Sequence, residues 1–164
     1  MINLNSGKTF ETNFKKSVPD DILFYRFRDG TSNWDKGTLT RFQQKNVCDC
    51  MLYNGNNLYF IELKNHKGKS LPLNCIRESQ IEELTKYSRY KNTICGIAIN
   101  FQDVEECYWL FIDQINGFVS NANRNSIPIA YCRENGIKIA NKRLRINYRY
   151  DIENLLKDIE SNLN

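Results

Sequence analysis

Behind a polar start, Phe10, Phe14 and Val18 recur at helical spacing and Pro19 ends the run, so the chain opens with a short helix near residues 6–17. Asn5 or Ser6 is available as its N-cap. Residues 22–28 are aromatic and aliphatic, break at Asp29 and Gly30, and read as a strand. Residues 29–45 keep no sustained period and hold Gly30, Trp34 and Gly37 among polar neighbours, the pattern of a long surface loop. Two strands follow at residues 47–53 and 58–64. They are joined by Asn54, Gly55, Asn56 and Asn57, residue types that accept the positive φ angles of a tight reversal.

A polar, basic loop is expected over residues 65–73, then a helix near 74–91. At 100° per residue Ile76, Arg77, Gln80, Ile81, Leu84 and Tyr87 share the side facing the sheet, while Glu78, Glu82, Lys86 and Arg89 face away. Strands are expected at 93–100 and 106–112, and a short helix or turn from Asp113. Later, Leu144, Ile146, Tyr148 and Tyr150 alternate with Arg143, Arg145, Asn147 and Arg149, a period of two that reads as one strand with its basic residues on one face. A last helix is expected near 151–163. This order describes an α/β fold, a mixed sheet flanked by helices, and the length of 164 residues is read as a single domain.

The composition, 41% hydrophobic and 26% charged, is that of a folded chain. A net charge of +4 permits a polyanionic partner without requiring one, but the excess is concentrated. Arg133, Lys138, Lys142, Arg143, Arg145 and Arg149 stand against Glu134 alone between residues 133 and 149. No apolar run reaches the length of a membrane span and no secretory signal is visible, so a cytoplasmic chain with reduced thiols is expected. Cys48 and Cys50 lack zinc-knuckle spacing and His66 is the one histidine, which makes buried free thiols the expectation and structural zinc not.

Chemistry centres on Glu62 and Lys64, two apart on one strand and therefore on one face, with Asp49 on the preceding strand folded back beside them. Two carboxylates suit a hard cation such as Mg²⁺ or Mn²⁺, which takes oxygen ligands together with waters and substrate phosphate oxygens. Lys64 is then placed to orient an attacking water. An E-x-K triplet alone is weak, since an edge aspartate and a solvated Glu/Lys pair would look the same. Burial of the strands around it gives it weight.

The residues around this core resemble the RecU-like group of Holliday-junction resolvases and their phage relatives, in the PD-(D/E)XK nuclease superfamily. The resemblance rests on Gly7 to Glu11 (GKTFE), Asn46 to Asp49 (NVCD), Tyr59 to Lys64 (YFIELK), Ser70 to Leu73 (SLPL) and Ile76 to Leu84 (IRESQIEEL). It implies a restriction-endonuclease-like fold, metal ligation by Asp49 and Glu62 with Glu11 approaching the site, and catalytic roles for Asp49, Glu62, Lys64 and Gln80. Cys48 stands where the superfamily pattern has proline, and residues 29–45 look shorter than the stalk such resolvases project into a junction.

Phosphate contacts are expected from Lys36, Arg41 and Lys45 on the first loop, Lys67 and Lys69 beside the site, Arg77 on the helix, and Arg143, Arg145 and Arg149. The resulting expectation is a structure-selective, metal-dependent endonuclease acting as a homodimer on branched DNA. The alternatives are a restriction-like or exonucleolytic enzyme of the same fold, or a DNA-binding module that does not cut.

Overall fold

Strand β3 (Leu58–His66) is the axis of the molecule, because both its faces are covered and both its edges are paired. The computed structural model describes residues 6–28, 46–121 and 123–163. The loop reading of residues 29–45, and with it Lys36, Arg41 and Lys45, falls outside the described residues.

Among the described residues a six-stranded sheet runs β1 (Leu23–Arg26), β2 (Cys50–Tyr53), β3, β5 (Thr93–Phe101), β6 (Glu106–Phe111) and β8 (Ile137–Ile139) from edge to edge. Strands β3 and β5 are parallel and every other neighbouring pair is antiparallel, giving the expected mixed sheet. The β2–β3 reversal is the one read from the sequence: Gly55 takes φ 89°, and Asn54 Oδ1 accepts from the Asn56 and Asn57 amides. Register pairs Cys50 with Ile61 and Tyr53 with Leu58.

Alternation along the strands divides two cores. Tyr59, Ile61 and Leu63 pack with Phe10 and Phe14 of α1 (Ser6–Ser17) and with Leu155, Leu156 and Ile159 of α5 (Ile152–Ser161). Phe60, Ile97, Ile99 and Leu110 pack on the other face with Leu84 of α2 (Glu78–Tyr87) and with Ile115 and Phe118 of α3 (Ile112–Asn121). At Gly96 a side chain is excluded outright: a Cβ there would lie 2.4 Å from both the Trp109 ring and the Leu110 carbonyl oxygen.

Four expectations are corrected. Residues 65–73 are not one loop: β3 continues to His66, and Ser70–Pro72 forms β4, which pairs with β7 (Ser126–Pro128). Only Leu71 and Ile127 bury fully in those three-residue strands, too little to make a visible pattern. The helix expected over 74–91 is shorter, because a 3₁₀ turn (Leu73–Cys75) and extended backbone at Ile76 and Arg77 precede α2. Helix α4 (Ile129–Asn135) and strand β8 had no counterpart in the sequence reading.

Fourth, the late alternating run is a hairpin rather than one strand. Strands β9 (Asn141–Leu144) and β10 (Asn147–Tyr150) pair antiparallel, with Tyr148 opposite Arg143 and Arg149 opposite Lys142. Directly opposed residues share a face and successive ones alternate, so Arg143 and Arg149 lie on opposite faces and the single basic face does not exist. The thiols are free; Cys48, Cys50, Cys95, Cys107 and Cys132 are buried and Cys75 is exposed. No helix among the described residues is long and apolar enough to cross a membrane.

Candidate active site

Glu62 lies in the middle of β3, where its neighbours along the strand enter the hydrophobic core, and its side chain is only 1% exposed. Its Oε1 accepts from Gln80 Nε2 at 2.6 Å and pairs with Lys64 Nζ at 2.7 Å. Its Oε2, equally buried, has no hydrogen-bond partner among the described residues. A buried carboxylate oxygen left bare is costly unless it is protonated or meets an electropositive partner. Burial, with the Asp49 charge behind it, pushes the Glu62 carboxyl up to about 7 against the opposing pull of Lys64 and Gln80.

Asp49 is positioned differently from its expected place on a strand. It occupies a bend one residue before β2, and its Oδ2 accepts the Leu63 amide at 2.8 Å. The carboxylate thus takes the place that a ladder carbonyl would fill had β2 begun earlier. The Phe27 amide in turn donates to the Asp49 carbonyl at 3.0 Å, tying the bend to the end of β1. Buried Cys48 replaces proline without loosening this bend, since its Sγ bonds the Cys50 carbonyl at 3.1 Å. Burial and the nearby Glu62 charge raise that thiol strongly, which keeps it neutral.

Gln80 reaches Glu62 because α2 begins at Glu78 and Gln80 is the third residue of its first turn. Its Oε1 accepts the Arg77 amide at 3.1 Å, so one buried amide both caps the helix and holds the carboxylate. Arg77 is not on the buried side as the helical projection had it. It is the extended N-cap residue and is exposed, because the helix starts at Glu78, four residues later than the continuous wheel from 74 assumes.

Glu11 faces a cavity of about 410 Å³ that it shares with Asp49, Cys50 and Leu63, and it pairs with Arg26 Nη2 at 2.6 Å. Lys8, Lys15 and Lys16 line the same cavity. The sequence reading used the Phe10, Phe14 and Val18 stripe and Glu11 of this region and missed these lysines. The signal was available, since positions 8, 11, 12, 15 and 16 follow the i, i+3, i+4, i+7, i+8 repeat of one helix face. Glu62 projects instead toward α2, and among the described residues no three acidic, cysteine or histidine side chains form a metal-holding group by themselves. Asp49 and Glu62 suit a hard cation that completes its shell with water and phosphate oxygens, and the bare Glu62 Oε2 is where such a cation fits.

Two of the basic residues lie just past this end of β3, and the others sit on the β9–β10 hairpin. Lys67 and Lys69 are exposed on the β3–β4 turn, where Gly68 takes φ 88° and donates its amide to Asp103 Oδ2 at 2.7 Å. Asn65, next to Lys64, donates to the Ser6 carbonyl at 2.8 Å and accepts from Asn100 at 2.7 Å, fastening the start of α1 beside the site. Arg143 pairs with Glu105 at 3.1 Å, Arg149 donates to the Lys16 carbonyl, and Arg145 sits in the hairpin turn.

Comparison with known proteins adds an independent line. The family model described as "Recombination protein U" matches residues 10–154. The chain is 30% identical over 171 residues to the SPbeta prophage-derived uncharacterized protein YotM of Bacillus subtilis (strain 168), covering 94% of this chain and 87% of that protein. It is 31% identical over 128 residues to the Holliday junction resolvase RecU of Lactococcus lactis subsp. cremoris (strain SK11), covering 76% of this chain. With the RecU of Streptococcus pyogenes serotype M5 (strain Manfredo) it shares 29% over 102 residues and 60% of this chain. The matches span 59% and 50% of those two resolvases' own lengths. Among solved structures it resembles Hjc of Archaeoglobus fulgidus, a Holliday junction resolvase, with TM-score 0.51 at 16% identity, covering 80% of this chain and 95% of that one. At that identity the likeness concerns the fold, and the restriction-endonuclease-like sheet flanked by helices is the fold observed.

Proposed function

We propose, from the premise that this chain belongs to the Recombination protein U family, that it is a metal-dependent endodeoxyribonuclease cutting branched DNA of the Holliday-junction kind. The observation that carries the reading is the buried Glu62, with one oxygen held by Gln80 and Lys64, the other without a hydrogen-bond partner among the described residues, and the Asp49 charge near enough to raise the carboxyl. Above the raised Glu62 pKa such a buried carboxylate is costly without an electropositive partner, which a plain protein-binding surface does not require.

In this reading Asp49 and Glu62 would hold a divalent cation, Mg²⁺ or Mn²⁺, which would supply charge compensation at the phosphoryl group and acidify a water. Gln80 fixes the Glu62 rotamer so that Oε2 is the oxygen presented. Lys64 Nζ, anchored on Oε1, orients the attacking water and keeps a proton donor at the reacting phosphate. Glu11 holds a further water or a second cation from the α1 side. Lys8, Lys15 and Lys16, with Lys67, Lys69 and Arg77, grip phosphates on either side of the scissile bond. None of these contacts reads base identity, which favours selection by DNA shape.

A two-fold branched substrate calls for two related cuts, and one catalytic set per chain makes a homodimer the simplest way to supply them. The deciding experiment is nicking of a synthetic four-way junction beside a matched linear duplex, with Mg²⁺ and with chelator. Paired, metal-dependent nicks in the junction support the reading, together with a light-scattering mass near twice 19.3 kDa. Degradation of linear ends by a monomer selects the exonuclease alternative, and tight junction binding with no cutting under any divalent cation selects the non-cutting module.

A further inference from the structure

Among the described residues the β9–β10 hairpin ends in an apolar residue left largely open: Ile146, in the turn, is 84% exposed, and Leu144, two residues before it, is 42% exposed. The turn is also conformationally costly. Arg145 takes φ 49°, a left-handed angle that hairpin turns normally assign to glycine or asparagine. Strain and exposed apolar surface in one turn point to a contact made outside the chain.

The stem beneath this tip is held from three directions. Glu105 anchors one side: its Oε1 accepts from Tyr148 Oη at 2.6 Å and pairs with Arg143 at 3.1 Å, and its carbonyl accepts from Asn141 Nδ2 at 3.1 Å. Helix α1 anchors another, with Arg149 donating to the Lys16 carbonyl and the Tyr150 amide donating to Ser17 Oγ at 2.9 Å. The Asp151 amide closes the base on the Ala140 carbonyl at 2.8 Å. Ile146 and Tyr148 line a cavity with Ser6, Thr9, Asn65 and Asn100, so the tip stands over the end of β3 that carries Lys64.

Charge completes the picture. The register puts Arg143 on one face of the ribbon and Lys142 with Arg149 on the other, with Arg145 at the apex. Positive charge on both faces of a narrow ribbon with an aliphatic tip matches two phosphate backbones that diverge around an exposed base pair.

We propose that this hairpin is a branch-point wedge: Ile146 packs on the open face of the base pair at a DNA branch while Lys142, Arg143 and Arg145 hold the two departing backbones. Insertion of aliphatic side chains at base steps works only from a stiff support, since unstacking must be offset by contacts the wedge keeps. The proposal rests on the branched-DNA reading above and adds the element that selects the branch.

The test uses the full chain with chelator present, so that binding is read without cutting, and a four-way junction carrying 2-aminopurine at the branch. Wild-type protein raises the fluorescence of that base. Ile146→Ser loses at least half of the rise and about tenfold in junction affinity while binding linear duplex unchanged, and Ile146→Leu retains both. Removing Lys142 and Arg143 together lowers the salt slope of junction binding by about 0.9 per charge. Because Ile146 touches solvent, its variants keep the wild-type melting temperature. An unchanged fluorescence rise in Ile146→Ser overturns the proposal, as does equal loss on junction and duplex, or binding of anionic vesicles with DNA binding untouched. Cleavage with Mg²⁺ is scored separately. A chain that lifts the 2-aminopurine signal yet cuts nothing refutes the nuclease reading alone, whereas one that cuts with an unaltered Ile146→Ser signal refutes the wedge alone.

Discussion

Gln80 Nε2 donates a 2.6 Å hydrogen bond to Glu62 Oε1, joining the first turn of α2 to the central strand through two buried side chains. Since Gln80 also caps its own helix through the Arg77 amide, the carboxylate is referenced to a helix terminus rather than to a mobile loop. Its other oxygen is thereby given a fixed direction.

Replacing Gln80 by Ala should therefore disturb Glu62 in two ways. The carboxylate loses its rotamer lock, for which a fall of about 10² in turnover is expected. It also loses a donor that lowers its proton affinity, so the acid limb of the pH–rate profile moves to higher pH. A profile that keeps its wild-type acid limb in purified Gln80→Ala would show that Gln80 only packs.

Asp49→Asn and Glu62→Gln each remove one charged ligand and leave the lysines of α1 in place. Cleavage should drop by at least about 10² in either, with junction affinity within a few-fold of wild type. Gel-shift and nicking assays on the same preparations measure both quantities, and robust Mg²⁺-dependent cutting by either variant sinks the assignment.

The raised Glu62 carboxyl sets a pH dependence of stability. It stands at about 7 in the fold, above the roughly 4.3 of an unfolded glutamate, so the folded chain holds that proton more tightly. The stability linked to it is complete below the unfolded value and is lost as pH rises through about 7. Glu62→Gln, which cannot ionise, should melt progressively higher than wild type between pH 5 and pH 8 in chelator. Added Mg²⁺ should raise the wild-type melting temperature at pH 8 far more than at pH 5. Parallel melting curves across that range would remove the bare-oxygen argument.

Gly96→Ala tests the frame independently of the chemistry. The new methyl would meet the Trp109 ring and the Leu110 carbonyl oxygen at 2.4 Å. Overpacking of this kind costs about 1–3 kcal/mol. Chemical denaturation should reveal that loss, and a variant as stable as wild type would mean that β5 and β6 shift apart freely.

Much of the candidate site's local structure was legible because its residues sit where pattern is strong. The run from Tyr59 to Lys64 reads as a strand on either side of its acid, and Asn54 to Asn57 announce the reversal that brings Asp49 back. What stayed hidden depends on local geometry that side-chain type does not encode. The Leu144 to Tyr150 alternation passes through a turn without breaking, since an arginine, not a glycine, adopts its positive φ. The Arg77 error came from extending one helical wheel across a residue whose backbone is extended. Lys8, Lys15 and Lys16 were overlooked because a charged helix face usually means only contact with water.

Strand β3 commits alternate residues to two different cores, Tyr59, Ile61 and Leu63 to one and Phe60 to the other, and the acid at position 62 shares Phe60's side. A slip of one residue against β2 or β5 would drive Glu62 among the α1 and α5 hydrophobes while turning Leu63 toward Gln80. Such a mis-threaded sheet would be penalised on both faces at once, which makes the same acid a proofreading device for assembly. The chain therefore reaches its fold and its reactive geometry in a single act of alignment, and an inserted residue between Asn57 and Glu62 should abolish both together.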